Sequence, residues 1–222
     1  MPQFPVPNNE KARVQLLHEL ELLDTETDPI FDRITLLVKE LFDADAALIT
    51  LIDDERQWFK AKVGFDESET PRKVSFCTHV VAAGETMVVE DATQDSRFCH
   101  NPYVTAPDGV RAYAGAPITL YGEFHLGTLC VICNQPRTFS SAELRYLETF
   151  ADWIATTITE RFEIDNYRAE RDVLAQGPVC AVVWRIEPDV HLSYVAENAL
   201  RVIGYDHDYL LRADVNYESI SC

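Results

Sequence analysis

Near the N-terminus apolar residues recur at helical spacing; further along they close up into unbroken runs. Val14, Leu16, Leu17, Leu20 and Leu23 form a stripe that predicts a helix over about residues 9–23. The segment DTETDPIF breaks that stripe. Asp28 then offers an N-cap carboxylate with Pro29 at the first helical position, where a residue without an N–H is well placed. The helix that follows is predicted to turn Ile30, Phe31, Ile34, Leu37, Val38 and Leu41 toward a core. AALITLIDD at 46–54 is too continuously apolar for a half-exposed strand and reads as a central one covered on both faces. RQWFKAKVG at 56–64 follows an acidic turn, so the two strands read as a hairpin.

A short helix around Cys77–Ala83, a strand TMVVED at 86–91 and a long irregular stretch to Gly109 come next. RAYAGAPITL at 111–120 and FHLGTLCVIC at 124–133 are strands joined by a turn at Tyr121-Gly122. Ser140, with Glu143 three residues on, makes a capping box, and no Gly or Pro interrupts the helix it opens until Gly177. Along this helix Leu144, Leu147, Ala151, Ile154 and Ile158 fall at alternating three- and four-residue steps, a seam that pairs helices. A face turned to the protein's own core fits the same spacing. After Gly177-Pro178 a second unit begins with VCAVVWRIEP, a strand HLSYVA and ENALRVIGYDHDYLL, too few strands to close a sheet.

With 222 residues there is room for one domain with a sizeable core and a smaller second unit. Carboxylates number 37 against 19 Lys and Arg, a net charge of −18, which disfavours nucleic acid and anionic membrane surfaces as partners. No apolar run reaches the roughly 18 to 20 residues of a membrane span, and MPQFPVPNNEKAR lacks the basic-then-apolar order of a secretory signal. Six scattered cysteines form no disulfide framework; they point to a reducing cytoplasm with free thiols.

ERQWFKAKVGFDESETPRKVSFCTHVV (55–81), VVEDATQDSRFCHNPYV (88–104) and the series VRAYAGAPI, LGTLCVI and PRTFSSAEL together strongly resemble a bacterial GAF domain. The resemblance is to the kind found at the front of multidomain signalling proteins, and it spans about residues 8–165. It implies an α+β fold: a central antiparallel sheet, helices on one face and a ligand pocket under loops on the other. Residues 172–222 resemble the opening half of a PAS domain, which implies a fragment of a longer protein. In proteins of this layout the remaining part is often a diguanylate cyclase, a phosphodiesterase or a histidine kinase. The expected organisation is a tail at 1–8, a sensory domain with its terminal helix at 9–165, a linker at 166–177 and a truncated PAS unit at 178–222.

In bilin-binding relatives of that family, a Cys-His pair shortly before the strand with a VVPI run attaches the chromophore through its thiol. Cys99-His100 lies 18 residues ahead of Pro117, a comparable place. The intervening NPYVTAPDGV, however, holds two prolines and a glycine and cannot form the apolar helix that would cover a tetrapyrrole. A loop position is the reading for this pair, and neither bilin nor haem is expected.

Cys77 and His79 belong to the subclass signature FCTH, with Cys77 expected half-buried at a helix start. His79, two residues on, cannot share its helical face, and a lone His lacks the ligand count of a metal or haem site. In CVIC (130–133) residues three apart on a strand point to opposite faces, so the two sulfurs should not meet. No metal is expected.

Arg111 and Tyr113 alternate on one strand face, with Asp91, Arg97 and Phe98 on segments that should approach it. Arg111 either grips a carboxylate or phosphate in a pocket or tethers the long loop through Asp91 or Asp95; both readings stay open. Of Trp58 and Phe59, which face opposite sides, Trp58 is assigned to the pocket. The candidate lining is Trp58, Phe76, Cys77, His79, Asp91, Phe98, Arg111 and Tyr113. No nucleophile with a placed base, glycine-rich phosphate loop or metal cluster assembles into a catalytic set.

The expectation is a cytoplasmic, homodimeric sensor that binds a small ligand or responds to redox state and signals to an output module. That module would turn over cyclic di-GMP or be a histidine kinase. The alternatives are a thiol-dependent enzyme of the free methionine sulfoxide reductase type and a ligand-free scaffold.

Overall fold

Asp28 caps its helix as the sequence predicts. Its Oδ1 accepts from the Ile30 N–H at 2.9 Å with Pro29 beside it, and α2 runs Pro29–Leu41. The computed structural model describes residues 4–178, 180–185, 191–196 and 198–210, and its contacts separate Met1–Thr159 from Glu160–Cys222. In the first unit α1 (Glu10–Glu19) is shorter than predicted, because the chain leaves the helix at Glu21, where φ is +49°. The core face of α2 is Phe31, Ile34, Thr35 and Val38. Ile30, Leu37 and Leu41 are exposed, contrary to expectation: Thr35 takes the core position beside Ile34, its hydroxyl donating to the Phe31 carbonyl at 2.7 Å.

The sheet has the strands β1 (Ala46–Ile52), β2 (Arg56–Val63), β3 (Glu69–Pro71), β4 (Met87–Val89), β5 (Ala112–Leu120) and β6 (Phe124–Cys133) in the order β3-β2-β1-β6-β5-β4, with antiparallel neighbours throughout. Every residue of β1 is buried, as its unbroken apolar run requires. The β5–β6 hairpin turns through Tyr121 (φ +52°) and Gly122 (φ +74°), and the Glu123 N–H closes it on the Leu120 carbonyl. Two successive positive φ values give the turn whose twist matches paired strands.

Helices α1 and α2 pack on β1, β2 and β6, and the seven-residue α3 (Cys77–Ala83) packs on β6, β5 and β1. Leu48, Ile52, Phe59, Tyr113 and Cys130 share a core with α3. Their strand neighbours Ala47, Ile49, Leu51, Leu129 and Val131 are buried on the opposite face. The stretch to Gly109, predicted irregular, contains a single-turn helix α4 (Pro102–Thr105) capped by Asn101.

Helix α5 runs Ser141–Gln176 from a reciprocal capping box: the Ser140 N–H donates to Glu143 Oε2 at 2.7 Å and the Glu143 N–H to Ser140 Oγ at 3.2 Å. Leu147, Ala151, Ile154 and Ile158 are buried within this chain, and Leu144 is half-buried. The seam read as a helix-pairing surface therefore faces the chain's own core. A second register, Tyr146, Phe150, Trp153, Thr157, Glu160, Ile164 and Tyr167, has the same alternating spacing, and of these Tyr146, Trp153, Ile164 and Tyr167 are exposed.

Described by itself, the C-terminal unit holds a two-stranded antiparallel sheet, β7 (Val182–Arg185) with β8 (His191–Val195), and two short helices, α6 (Ala199–Ile203) and α7 (His207–Leu210). Leu192, Val195, Ala199 and Leu210 form its small core. The remainder of the stretch expected to be a PAS unit, including 186–190 and 211–222, lies outside the described residues, as do residues 1–3 of the expected tail.

One charged clamp ties the N-terminal helix to the β1–β2 hairpin. Glu10 bridges two buried arginines: Arg13 donates to both its carboxylate oxygens at 2.8 and 3.0 Å, and Arg72 donates to Oε1 at 2.5 Å. Arg13 also donates to the Ile52 carbonyl, and Arg72 to those of Asp53 and Asp54. Burial opposes the Glu10 charge, but the two guanidiniums outweigh it and hold the carboxyl below its ordinary value. Glu10→Ala leaves two buried cations without their shared partner, so urea unfolding should show a loss of about 3 kcal/mol. Because the folded carboxyl titrates lower than the unfolded one, the contribution is full above about pH 4.5 and fades as pH falls through the folded value. Wild-type and Glu10→Ala stabilities should therefore converge on acidification.

Candidate functional site

Between α3, the 90–110 loop and the sheet lies a cavity of about 40 Å³, lined by Leu48, Gln57, Phe65, Thr70, Val74, Ser75, Phe76, Cys77, Tyr103, Val110, Tyr113, Cys130 and Ile132. At the ~10–15 Å³ that one water-sized group needs, it takes roughly three. Its position follows from strand parity: Leu48, Gln57, Tyr113, Cys130 and Ile132 all alternate toward this face. Ser75 fixes the entry of α3, accepting from the Thr78 N–H at 3.1 Å while its hydroxyl bonds to Gln57 Oε1. Asn101 Nδ2 donates to the Val74 carbonyl at 2.7 Å and pins the loop to the same point. Phe76 stacks on Phe98 at 3.9 Å between centroids, and its other ring neighbour, Tyr113, lies at 5.2 Å.

At the floor of the cavity two thiols meet. Cys77 Sγ and Cys130 Sγ are 3.7 Å apart, and the Tyr113 hydroxyl donates to Cys77 Sγ at 3.3 Å. Thr50 and Thr128, opposite each other on β1 and β6, have their hydroxyls 3.0 Å apart and complete the cluster. Burial disfavours a thiolate here, yet hydrogen bonds from Cys130, Thr128, Tyr113 and Thr50 turn the Cys77 thiol downward from its ordinary value. Cys130 moves the other way, because it shares its proton with Cys77 and is itself buried. Burial and the neighbouring thiols also push the Tyr113 phenol up, which keeps it protonated as a donor. Gly115 makes room for that phenol: a Cβ there would stand 2.1 Å from Tyr113 Oη.

Of the residues proposed from sequence, Phe76, Cys77 and Tyr113 line the cavity. Phe98 lies behind Phe76, fully buried. Trp58 does not reach it: strand parity puts Phe59 on this face, and Trp58 sits under the Lys60 ammonium. His79 meets the edge of Phe98 at 4.9 Å and opens onto a shallow surface hollow with Arg97, its basicity lowered by burial and then by that guanidinium. Asp91 caps its own turn, accepting from the Thr93 N–H and hydroxyl.

Arg111 tethers the loop, but through carbonyls rather than a carboxylate: Nη1 donates to Val104 at 2.8 Å and Val110 at 3.2 Å, while Asp95 pairs with Arg97. Cys99 and His100 lie on the loop surface away from the thiols. Cys77 is fully buried rather than half-buried. Cys130 and Cys133 do face opposite ways, but Cys130 meets Cys77, a partner 53 residues upstream. Among the described residues no group of three or more His, Cys, Asp or Glu is placed to hold a metal, and no helix is long and apolar enough to cross a membrane.

The family profile described as GAF domain matches residues 26–158, the span that builds this sheet and its cavity. The chain belongs to the GAF domain family. Over 203 residues it is 35% identical to a protein of Pseudomonas aeruginosa named cyclic di-GMP phosphodiesterase; the match covers 91% of this chain and 33% of the relative, so the chain spans about a third of that protein's length. The GAF domain of an Acinetobacter phosphoenolpyruvate-protein phosphotransferase superposes with a TM-score of 0.52 at 20% identity, covering 70% of this chain and 95% of that one. The blue-light-absorbing form of the PixJ GAF domain from Thermosynechococcus elongatus gives 0.52 at 16% identity, covering 70% and 94%. At these identities the likeness is one of fold.

Within this GAF domain the hydroxyl of Tyr113 is the donor to Cys77 that can be removed at least cost to packing. Tyr113→Phe keeps the ring against Phe76 and deletes one hydrogen bond to a charged acceptor. A loss of about 1.5 kcal/mol in that bond corresponds to a rise of about one pH unit in the midpoint of Cys77 ionisation. Thiolate absorbance followed against pH, with Cys77→Ser as the blank, checks this. Gly115→Ala, which drives a methyl into the same oxygen, should in addition cost about 1–3 kcal/mol in urea unfolding.

Proposed function

We propose that this GAF domain is the sensory part of a cytoplasmic signalling protein, in which a small ligand or a redox event in the thiol-floored cavity biases the packing of α3 and, through α5, a downstream output. The observation that carries the reading is the placement of α3. Its first residue contributes one of the two thiols, and just past its end the Thr86 hydroxyl donates to Glu148 of α5 at 2.7 Å. A shift of α3 thus has a direct contact through which to reach the long helix. Signalling further requires that the ligand favour one packing over the other, since equal affinity shifts nothing.

The domain organisation that goes with this reading is a sensory domain at 9–165, a linker at 166–177 and a PAS unit beginning at 178. The output is a module for cyclic di-GMP turnover or a histidine kinase. The name of the Pseudomonas relative, a cyclic di-GMP phosphodiesterase, supports the first of these.

A homodimer formed along α5 belongs to the same proposal, by way of the exposed register. Tyr146, Phe150, Trp153, Ile164 and Tyr167 keep the three-four alternation of paired helices, and their rings are large enough to bury substantial area against a second copy. Trp153→Lys should convert dimer to monomer in sedimentation, whereas Ile154→Ala, one residue along but buried, should lower stability by about 2–5 kcal/mol. A dimer unchanged by Trp153→Lys sinks this register as the interface.

Native mass of the freshly purified protein, compared with its denatured mass, tests the ligand. The cavity's size predicts either a bound species of only a few heavy atoms, lost on denaturation, or none with both thiols free. A large adduct that survives denaturation on Cys99 would overturn the reading.

A further inference from the structure

A buried cysteine is by default a small apolar side chain, and its neighbours are then apolar. Cys77 and Cys130 do not fit that default. They touch each other at 3.7 Å, the Tyr113 hydroxyl donates to Cys77 Sγ at 3.3 Å, and both sulfurs form part of a cavity wall. Among the described residues, the thiols that reach the surface, Cys99 and Cys180, have neither a thiol neighbour nor a hydroxyl donor. A core that needed only volume at these two positions gains nothing from a second thiol in contact and a phenol hydroxyl aimed at sulfur.

The cavity restricts what can reach the pair. It holds about three water-sized groups, its walls are mainly apolar and aromatic, and the protein around it carries a net charge of −18. Small uncharged molecules are admitted and anions are repelled. A thiol that accepts a phenol hydrogen bond next to a second thiol, in a space of that size, is arranged to react with a two-electron oxidant of few atoms.

We propose that Cys77 and Cys130 are a redox couple that a small hydroperoxide, hydrogen peroxide or a short alkyl hydroperoxide, closes to a disulfide. The Cys77 thiolate attacks the terminal oxygen; the O–O bond breaks, Cys77 becomes a sulfenic acid, and the departing oxide takes up the proton that Cys77 released and leaves as water or alcohol. Cys130 then attacks the sulfenic sulfur, its own proton leaves with the hydroxyl as water, and the S–S bond forms. Two thiols lose two electrons and two protons, and one hydroperoxide becomes one alcohol or water plus one further water.

A disulfide is about 2.05 Å long, so the sulfurs approach by about 1.7 Å from 3.7 Å. Cys130 is held in the centre of the sheet between β1 and β5, whereas Cys77 starts a seven-residue helix; α3 is the part that moves. The proposal rests on the sensory reading and names the stimulus.

The test uses the whole reduced chain, treated with hydrogen peroxide, then acid-quenched, alkylated and digested without reductant. A peptide linking Cys77 to Cys130 should form about tenfold faster than any oxidation at Cys99 or Cys180, because the second thiol stands ready beside the first. Dithiothreitol should reverse it. Cys130→Ser should stop at a sulfenic acid on Cys77, trapped with dimedone, and Cys77→Ser should give neither product. A short alkyl hydroperoxide should react and cumene hydroperoxide should lag, because its ring exceeds the cavity.

Oxidation of Cys99 or Cys180 first, or a Cys77–Cys130 link that forms no faster than in urea, overturns the couple. Hydrogen exchange over 77–83 and 141–159 before and after oxidation separates the two readings. A disulfide that forms without any change in α5 leaves the couple standing and removes the signalling role.

Discussion

A sheet covered on both faces has no water to offer its side chains, and most of this domain is a consequence of that constraint. β1, β6 and β5 lie at its centre, so any polar atom they carry must find a partner in place or cost about 1–3 kcal/mol. Thr50 and Thr128 meet this by pairing across β1 and β6. The Tyr113 hydroxyl meets it by reaching Cys77, which it can do only because Gly115 lacks a Cβ. These partners fix where α3 begins, and the start of α3 fixes the wall of the cavity. Removing the polar cluster would therefore change the position of a helix as well as a few hydrogen bonds.

The same shortage of water governs the arginines. Four of the fourteen arginines are turned to structure. Arg13 and Arg72 clamp Glu10 and hairpin carbonyls, Arg111 gathers loop carbonyls, and Arg137 joins the Phe42 carbonyl to Glu143 at the start of α5. Cations that hold the fold together from inside are not available at the surface to balance carboxylates. The net charge of −18 weighs against phosphate-backbone partners and makes an uncharged stimulus the easier one to admit.

Much of the fold was legible where a local rule decides the outcome. The Asp28-Pro29 start, the Ser140–Glu143 box, the helix at Cys77–Ala83 and the strand at 124–133 rest on capping, turn chemistry and unbroken apolar runs, all read within a few residues. The failures fall where the deciding partner is distant in sequence. Parity on β6 correctly separates Cys130 from Cys133 but says nothing of Cys77, which arrives from another element. Arg111 offers the same lesson, since its alternatives both presupposed an anion and the structure supplies carbonyls from its own loop. Leu37 and Leu41 lie on the flank of α2, where hydrophobicity alone does not reveal that Thr35 holds the core position.

Helix α5 shows the limit in its sharpest form, because it carries two registers with one spacing. Leu147, Ala151, Ile154 and Ile158 are aliphatic and compact, suited to a close-packed interior. Tyr146, Phe150, Trp153 and Tyr167 are aromatic, and the tyrosine hydroxyls and the Trp153 indole N–H tolerate water, the composition found where surfaces meet. Period alone cannot tell the two apart; residue type can. A helix built this way holds its own domain with one face and keeps the other available. Movement at α3, passed through Thr86 to Glu148, would reach a helix whose outer face is not committed to the domain's own core. That division, with one face fixed and one free, would allow the proposed change of about 1.7 Å at a buried sulfur to matter outside the domain, since packed cores switch between discrete arrangements rather than deforming smoothly.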